Sequence, residues 1–171
     1  MNLSAYLRDV KDFPKPGIVF KDITPLLQSP AAMDETVRQI VGRFQHDKID
    51  KVAGIESRGF IFGALVAREL GVGFLPVRKP GKLPWRTQSV NYMLEYGSGT
   101  LEIHEDAITK GERVIVVDDL LATGGTARAA CELVERLNGK VIGCAFVIEL
   151  AFLPGRKKLT GQRVESLIRI D

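Results

Sequence analysis

Cysteine is scarce in this chain: 171 residues hold two, Cys131 and Cys144, both in apolar surroundings. That argues against a disulfide framework or a thiolate metal site and points to reduced core thiols in a cytoplasmic protein. Excess charge is also missing. The formal net charge is +3, too mild to argue for nucleic-acid binding by itself. No apolar run is long enough to cross a bilayer. The opening segment MNLSAYLRDVKDF is charged and lacks an apolar signal core, so no secretion signal is expected. There are no internal repeats, low-complexity tracts or obvious linkers. The two histidines, His46 and His104, read as surface residues without a role.

What is present fits one soluble domain spanning 1–171 with a single substantial core. Short β-branched runs at Lys51–Ile55, Gly73–Val77, Arg113–Val117 and Val141–Ile148 alternate with helical patterns. Met33, Val37, Ile40, Val41 and Phe44 mark one apolar helix face. Ala130, Leu133, Val134 and Leu137 mark another, with Gly139 as its expected C-cap. A third helix is expected from about Gly59 to Leu70, closed by Gly71. Strands alternating with helices imply an α/β fold, a mostly parallel sheet flanked by helices. VIVV at 114–117 lacks polar alternation, as a strand buried on both faces requires. Two parts break the alternation. Ser89–Ile103 reads as a hairpin turning at GSG. The first thirty residues, rich in Pro and polar turns, read as a separate cap over one end of the sheet.

The segment Val114–Thr126, VIVVDDLLATGGT, carries the clearest chemistry. A buried strand runs into two carboxylates, Asp118 and Asp119, then a short loop, then a helix. In open parallel sheets ligands bind beyond the carboxyl ends of the strands. Gly124 and Gly125 let backbone N–H groups approach a ligand. Thr123 and Thr126 add hydroxyl donors, and the following helix aims free N–H groups and its positive dipole end at the same place. This is an anion site suited to a phosphate. Carboxylates beside it make sense if they accept hydrogen bonds from sugar hydroxyls of the same ligand. A phosphorylated sugar follows. A P-loop is excluded because no Lys follows the glycines. Gly71 and Gly73 precede a strand, so they form no dinucleotide fingerprint. A receiver-type acidic pocket would not need TGGT.

VIVVDDLLATGGTA resembles the 5-phosphoribosyl-1-pyrophosphate (PRPP) signature of the type I phosphoribosyltransferases. Within that family, FPKPGIVFKDITPLL at 13–27, GIESRGFIFG at 54–63, PVRKPGKLP at 76–84 and LEYGSGTLEIHEDAI at 94–108 resemble segments of the adenine-specific members, in their order. The resemblance covers nearly the whole chain. It implies the type I phosphoribosyltransferase fold with an N-terminal hood (1–30) and a flexible hairpin lid (78–96).

The resemblance also implies roles. Ala122, Thr123, Gly124, Gly125 and Thr126 would bind the 5′-phosphate, and Asp118 and Asp119 the ribose hydroxyls. Glu56, Ser57 and Arg58 would form the pyrophosphate loop, with a cis Glu56–Ser57 peptide. That loop joins the strand ending at Ile55 to a helix N-terminus, and Arg58 offers a donor fork for phosphate oxygens. Arg78, Lys79 and Lys82 would face pyrophosphate from the lid. A closing basic flap neutralises a charged leaving group and excludes water. Arg86 stands where some relatives carry an acid. Val19 and Lys21 would read the adenine edge through backbone groups, with Phe20 and Leu150 sandwiching the ring. From residue type alone, Phe20 and Leu150 are core residues. Glu95, the implied catalytic partner of Arg58, fits either an acid/base role toward the purine or an ordinary hairpin position.

The implied reaction is adenine plus PRPP giving AMP and pyrophosphate, with Mg²⁺ carried by the substrate diphosphate and no protein metal cage. The implied assembly is a homodimer. Neither a nucleic acid nor a membrane is an expected partner. The alternatives are a phosphoribosyltransferase for another purine or orotate, or a PRPP-sensing regulator that binds DNA. The second would need a DNA-reading module, and no helix-turn-helix pattern is visible. The basic run Arg156, Lys157 and Lys158 reads as a solvated surface loop.

Overall fold

A computed structural model describes residues 1–93 and 97–171. After a short 3-10 turn, Leu3–Tyr6, the chain forms β1 (Arg8–Lys11) and β2 (Val19–Asp22), an antiparallel pair. Then come α1 (Thr24–Leu27), α2 (Pro30–Arg43), β3 (Lys51–Ile55), α3 (Gly59–Leu70) and β4 (Gly73–Val77). A second antiparallel pair follows, β5 (Thr87–Met93) and β6 (Ser98–His104). The chain continues through β7 (Arg113–Leu121), α4 (Gly125–Arg136), β8 (Lys140–Leu150), α5 (Gly155–Lys158) and β9 (Val164–Ile170).

The central sheet has five parallel strands in the order β4-β3-β7-β8-β9. Both faces are buried, which is why its middle strands carry no polar alternation. Along β7, Val114 and Val116 pack toward α4 and the β5–β6 pair. Ile115 and Val117 pack toward α2 and α3. Phe146 and Val147 divide β8 between the same two layers. Leu133 and Val134 of α4 fill one layer, while Ile40 of α2 and Phe62 and Val66 of α3 fill the other.

The helix ends follow local chemistry. Ser29 caps α2 by accepting from the Ala32 N–H at 3.3 Å, and Pro30 occupies the first helical position. Gly71 takes φ 67° after α3, and the Val72 N–H returns to the Ala67 carbonyl at 2.9 Å. The same closure ends α4, but Gly139 is not its left-handed residue. Asn138 holds φ 60°, and the Gly139 N–H returns to the Val134 carbonyl at 2.9 Å. Asn tolerates that conformation through its short polar side chain.

Three expectations are corrected. β7 and β8 run past Val117 and Ile148, so Asp118 and Asp119 lie within a strand. Arg156–Lys158 form the short helix α5, with Arg156 bound to the buried Glu149. His104 is not a free surface residue, since its Nε2 is buried with no hydrogen-bond partner among the described residues.

Candidate active site

The carboxyl edge of the sheet opens into a cavity of about 440 Å³. Two loops build it. One leaves β3 as Glu56-Ser57-Arg58 and enters α3. The other leaves β7 and enters α4 through Ala122-Thr123-Gly124. Gly124 holds φ 80°, a left-handed turn that brings the chain onto the helix axis. Ala122, Thr123, Gly124 and Thr126 line the cavity; Gly125 does not. A Cβ at Gly125 would meet the Met93 carbonyl oxygen at 2.8 Å and the Tyr92 ring at 3.3 Å. That glycine therefore makes room for β5.

Asp118 and Asp119 border the same space, and Asp119 is 5% exposed. Burial and the adjoining Asp119 carboxylate push Asp118 well above the usual carboxylate range. Burial also raises Asp119, against the pull of Arg58, whose Nε lies 2.9 Å from the carboxylate. Arg58 in turn lies 5.4 Å from the centre of the Phe20 ring. This contact brings the β1–β2 hairpin beside the cavity mouth.

The Glu56–Ser57 peptide is cis. Arg78 donates to both Glu56 carboxylate oxygens at 3.2 and 3.3 Å, and the Lys79 N–H donates to one of them at 3.0 Å. The Arg78 pair is the main reason that Glu56 is held below the usual carboxylate range. Lys79 lines the cavity, whereas Arg78 sits on Glu56 with its guanidinium 5.8 Å from the Phe60 ring centre. Lys82 offers its carbonyl to Arg78 at 3.3 Å, and its side chain does not line the cavity.

Val19, Phe20, Lys21 and Leu150 do not line the cavity either. Val19 is exposed on β2, and Lys21 pairs with Asp9 at 2.7 Å. Leu150 ends β8 and packs on the α2–α3 layer. Phe20 meets Arg58 and, edge-on at 5.2 Å, Phe13. Glu95 lies outside the described residues.

Sequence reasoning missed Tyr92 and Leu101, which wall the cavity from the β5–β6 pair. Their signal is indirect. Gly99 and Gly125 are the residues whose missing side chains leave space for the Tyr92 ring.

A family model described as the phosphoribosyl transferase domain matches residues 22–164. An adenine phosphoribosyltransferase of Methylococcus capsulatus is 61% identical over 166 residues, covering 97% of this chain and 97% of that one. The chain belongs to the adenine phosphoribosyltransferase family. Its fold is that of the solved adenine phosphoribosyltransferase from Thermoanaerobacter pseudethanolicus, with a TM-score of 0.96 at 52% identity over 98% of each chain. The Saccharomyces cerevisiae adenine phosphoribosyltransferase, complexed with D-2,5-dideoxy-2,5-imino-altritol 1,6-bisphosphate and adenine, matches with a TM-score of 0.91. It is 44% identical over 96% of each chain. In this phosphoribosyltransferase the sheet edge, the acid pair and both loops converge on one cavity.

Proposed function

We propose that this enzyme transfers the 5-phosphoribosyl group of PRPP to adenine, giving AMP and pyrophosphate in purine salvage. One observation carries the reading. The acid pair, the glycine turn opening α4 and the Glu56–Arg58 loop face a single cavity large enough for a sugar phosphate. The yeast relative, complexed with adenine and an imino-altritol bisphosphate, supports adenine as the acceptor.

Thr123, Gly124 and Thr126 hold the 5′-phosphate at the α4 N-terminus. Asp118 and Asp119 take the ribose hydroxyls. Arg58 and Lys79 meet the diphosphate, and Arg78 acts one step back by orienting Glu56. As the C1′–diphosphate bond breaks, positive charge grows on the ribose ring, and adenine N9 attacks from the opposite face while its proton passes to a base, the role proposed for Glu95. The protein supplies alignment and charge stabilisation, with no covalent intermediate.

Mg²⁺ suits this donor set as a substrate-borne ion. Among the described residues no cluster of three or more His, Cys, Asp and Glu could hold a metal. When bound, the ion would neutralise the diphosphate and keep much of its water shell. Residues 1–30 act as a hood beside the base, with Phe20 and Leu150 about the ring and Val19 and Lys21 at its edge. Residues 78–96 act as the lid, with Lys82 coming to the substrate on closure, and Glu95 is the acid/base partner toward the purine. The working form is a cytoplasmic homodimer.

The test mixes the protein with PRPP, Mg²⁺ and, separately, adenine, hypoxanthine, guanine, xanthine and orotate, and follows nucleotide formation. AMP from adenine is the expected product. Turnover of another base in preference to adenine would overturn the assignment.

A further inference from the structure

We infer that the Glu149–Arg156 ion pair is a positioning device that holds the Pro154–Gly155 turn against the back of the phosphate loop. The inference rests on the reading of Ala122–Thr126 as the 5′-phosphate site and adds a support to it from a distant part of the chain.

Glu149 is 3% exposed and lies in register with Leu121, next to the start of the loop. Arg156 grips it with both arms of its fork, Nε at 2.9 Å and Nη2 at 2.6 Å. Its remaining arm reaches the Val164 carbonyl at 3.0 Å, tying the turn to β9 as well. Such a two-pronged pair fixes the arginine backbone more closely than a single contact would. The residue thus fixed is the neighbour of Gly155.

Gly155 has no room for a side chain. A Cβ there would collide with the Ala122 carbonyl oxygen and meet the Leu121 side chain at 3.0 Å. The contact is reciprocal, since a Cβ on Gly124 would meet the Gly155 carbonyl oxygen at 2.5 Å and its Cα at 2.9 Å. The two glycines press backbone to backbone. The left-handed turn at Gly124 therefore has a wall behind it, and that wall is anchored through Arg156. Arg156 also holds Glu149 below the usual carboxylate range, so the pair stays charged at neutral pH. A pair serving general stability alone would have no reason to seat a side-chain-free residue on Ala122.

The experiment compares Glu149→Gln, Arg156→Lys and Gly155→Ala with Thr126→Ala, which probes the phosphate loop itself. KM for PRPP, KM for adenine, kcat and thermal midpoint are measured for each, with ribose 5-phosphate binding by calorimetry. The expected result is a rise of about tenfold in PRPP KM and in the ribose 5-phosphate Kd, with adenine KM within about twofold. Arg156→Lys, which keeps the charge but loses the fork, is expected to hold its thermal midpoint and still show the PRPP defect. If folded variants keep native PRPP KM, or if both KM values rise together, the positioning role is overturned. If Thr126→Ala leaves PRPP and ribose 5-phosphate binding unchanged, the phosphate-loop reading itself falls, an outcome distinct from failure of the ion pair alone.

Discussion

The Arg58 Nε lies 2.9 Å from an Asp119 carboxylate oxygen, so a residue assigned to the diphosphate is tied to one assigned to the ribose. Asp119 is 6% exposed at its side chain and Arg58 is 36% exposed. The cation therefore caps a buried acid from the solvent side. On the proposed roles, a ligand that brings both sugar hydroxyls and a diphosphate gives each partner a replacement, which would couple the two halves of PRPP recognition.

Arg58→Ala is expected to cut kcat/KM for PRPP by about a hundredfold, the order found when one preorganised donor to developing charge is removed. Arg58→Lys keeps the charge but not the planar fork, and is expected to recover only part of the loss. Steady-state kinetics with PRPP varied at saturating adenine check this. Equal activity of the lysine variant and the parent would remove the fork from the mechanism.

Substrate affinity should depend on pH through the acid pair. Burial raises both Asp118 and Asp119 above the usual carboxylate range. As pH falls through their titration, acceptors for the sugar hydroxyls are protonated, and PRPP KM is expected to climb at a pH higher than ordinary carboxylates would give. Arg58 is the main group pulling Asp119 back down. Arg58→Ala should therefore move the acid limb to higher pH. KM–pH profiles of parent and variant decide the point, and coincident limbs would separate Arg58 from Asp119.

Asp118 also exposes a conflict between stability and function. Its folded-state pKa lies above the ordinary value of 3.8, so above that pH burying it opposes folding. Asp118→Asn removes the penalty. The variant is expected to gain about 2–4 °C in thermal midpoint per kcal/mol at neutral pH. The gain should vanish below about pH 4, where both states of the parent are protonated. PRPP KM should rise in the same protein. Calorimetric scans across pH check the sign, and a midpoint lower than the parent at neutral pH would contradict it.

These couplings were only partly legible in the sequence. VIVV, the acid pair and TGGT mark the site locally, because strand, loop and helix N-terminus are adjacent in the chain. Gly59–Leu70 with Gly71 was legible for the same reason. What escaped depends on distant partners. Arg78 meets Glu56, 22 positions away, so a cation from the basic stretch after β4 is tied to the loop after β3. Arg156 meets a buried Glu149 on β8, and nothing in RKK separates its arginine from a solvated one. β9, VESLIRI, lies at a sheet edge and mixes apolar and polar residues without regular alternation, so its signal is weaker than that of VIVV. Phe20 looks like core until its ring is found beside Arg58.

Helix α3 offers a contrast that separates site effects from packing effects. A Cβ on Gly59 would meet the Val117 carbonyl oxygen at 2.8 Å and Asp118 Oδ1 at 2.9 Å. Backbone cannot yield there, so Gly59→Ala should push the α3 N-terminus off β7 and shift Asp118 with it. A Cβ on Gly63, one turn later, would meet Phe74 Cε2 at 2.9 Å and the Gly54 Cα at 3.2 Å. Both changes overfill a packed layer, at a cost of about 1–3 kcal/mol. Both should lower the thermal midpoint. Only Gly59→Ala should also raise PRPP KM, because only its obstacle includes Asp118, the carboxylate proposed to take a ribose hydroxyl. Thermal scans and PRPP kinetics on the two variants give the answer, and a KM defect in Gly63→Ala of equal size would mean that the whole helix, not its first residue, sets the site.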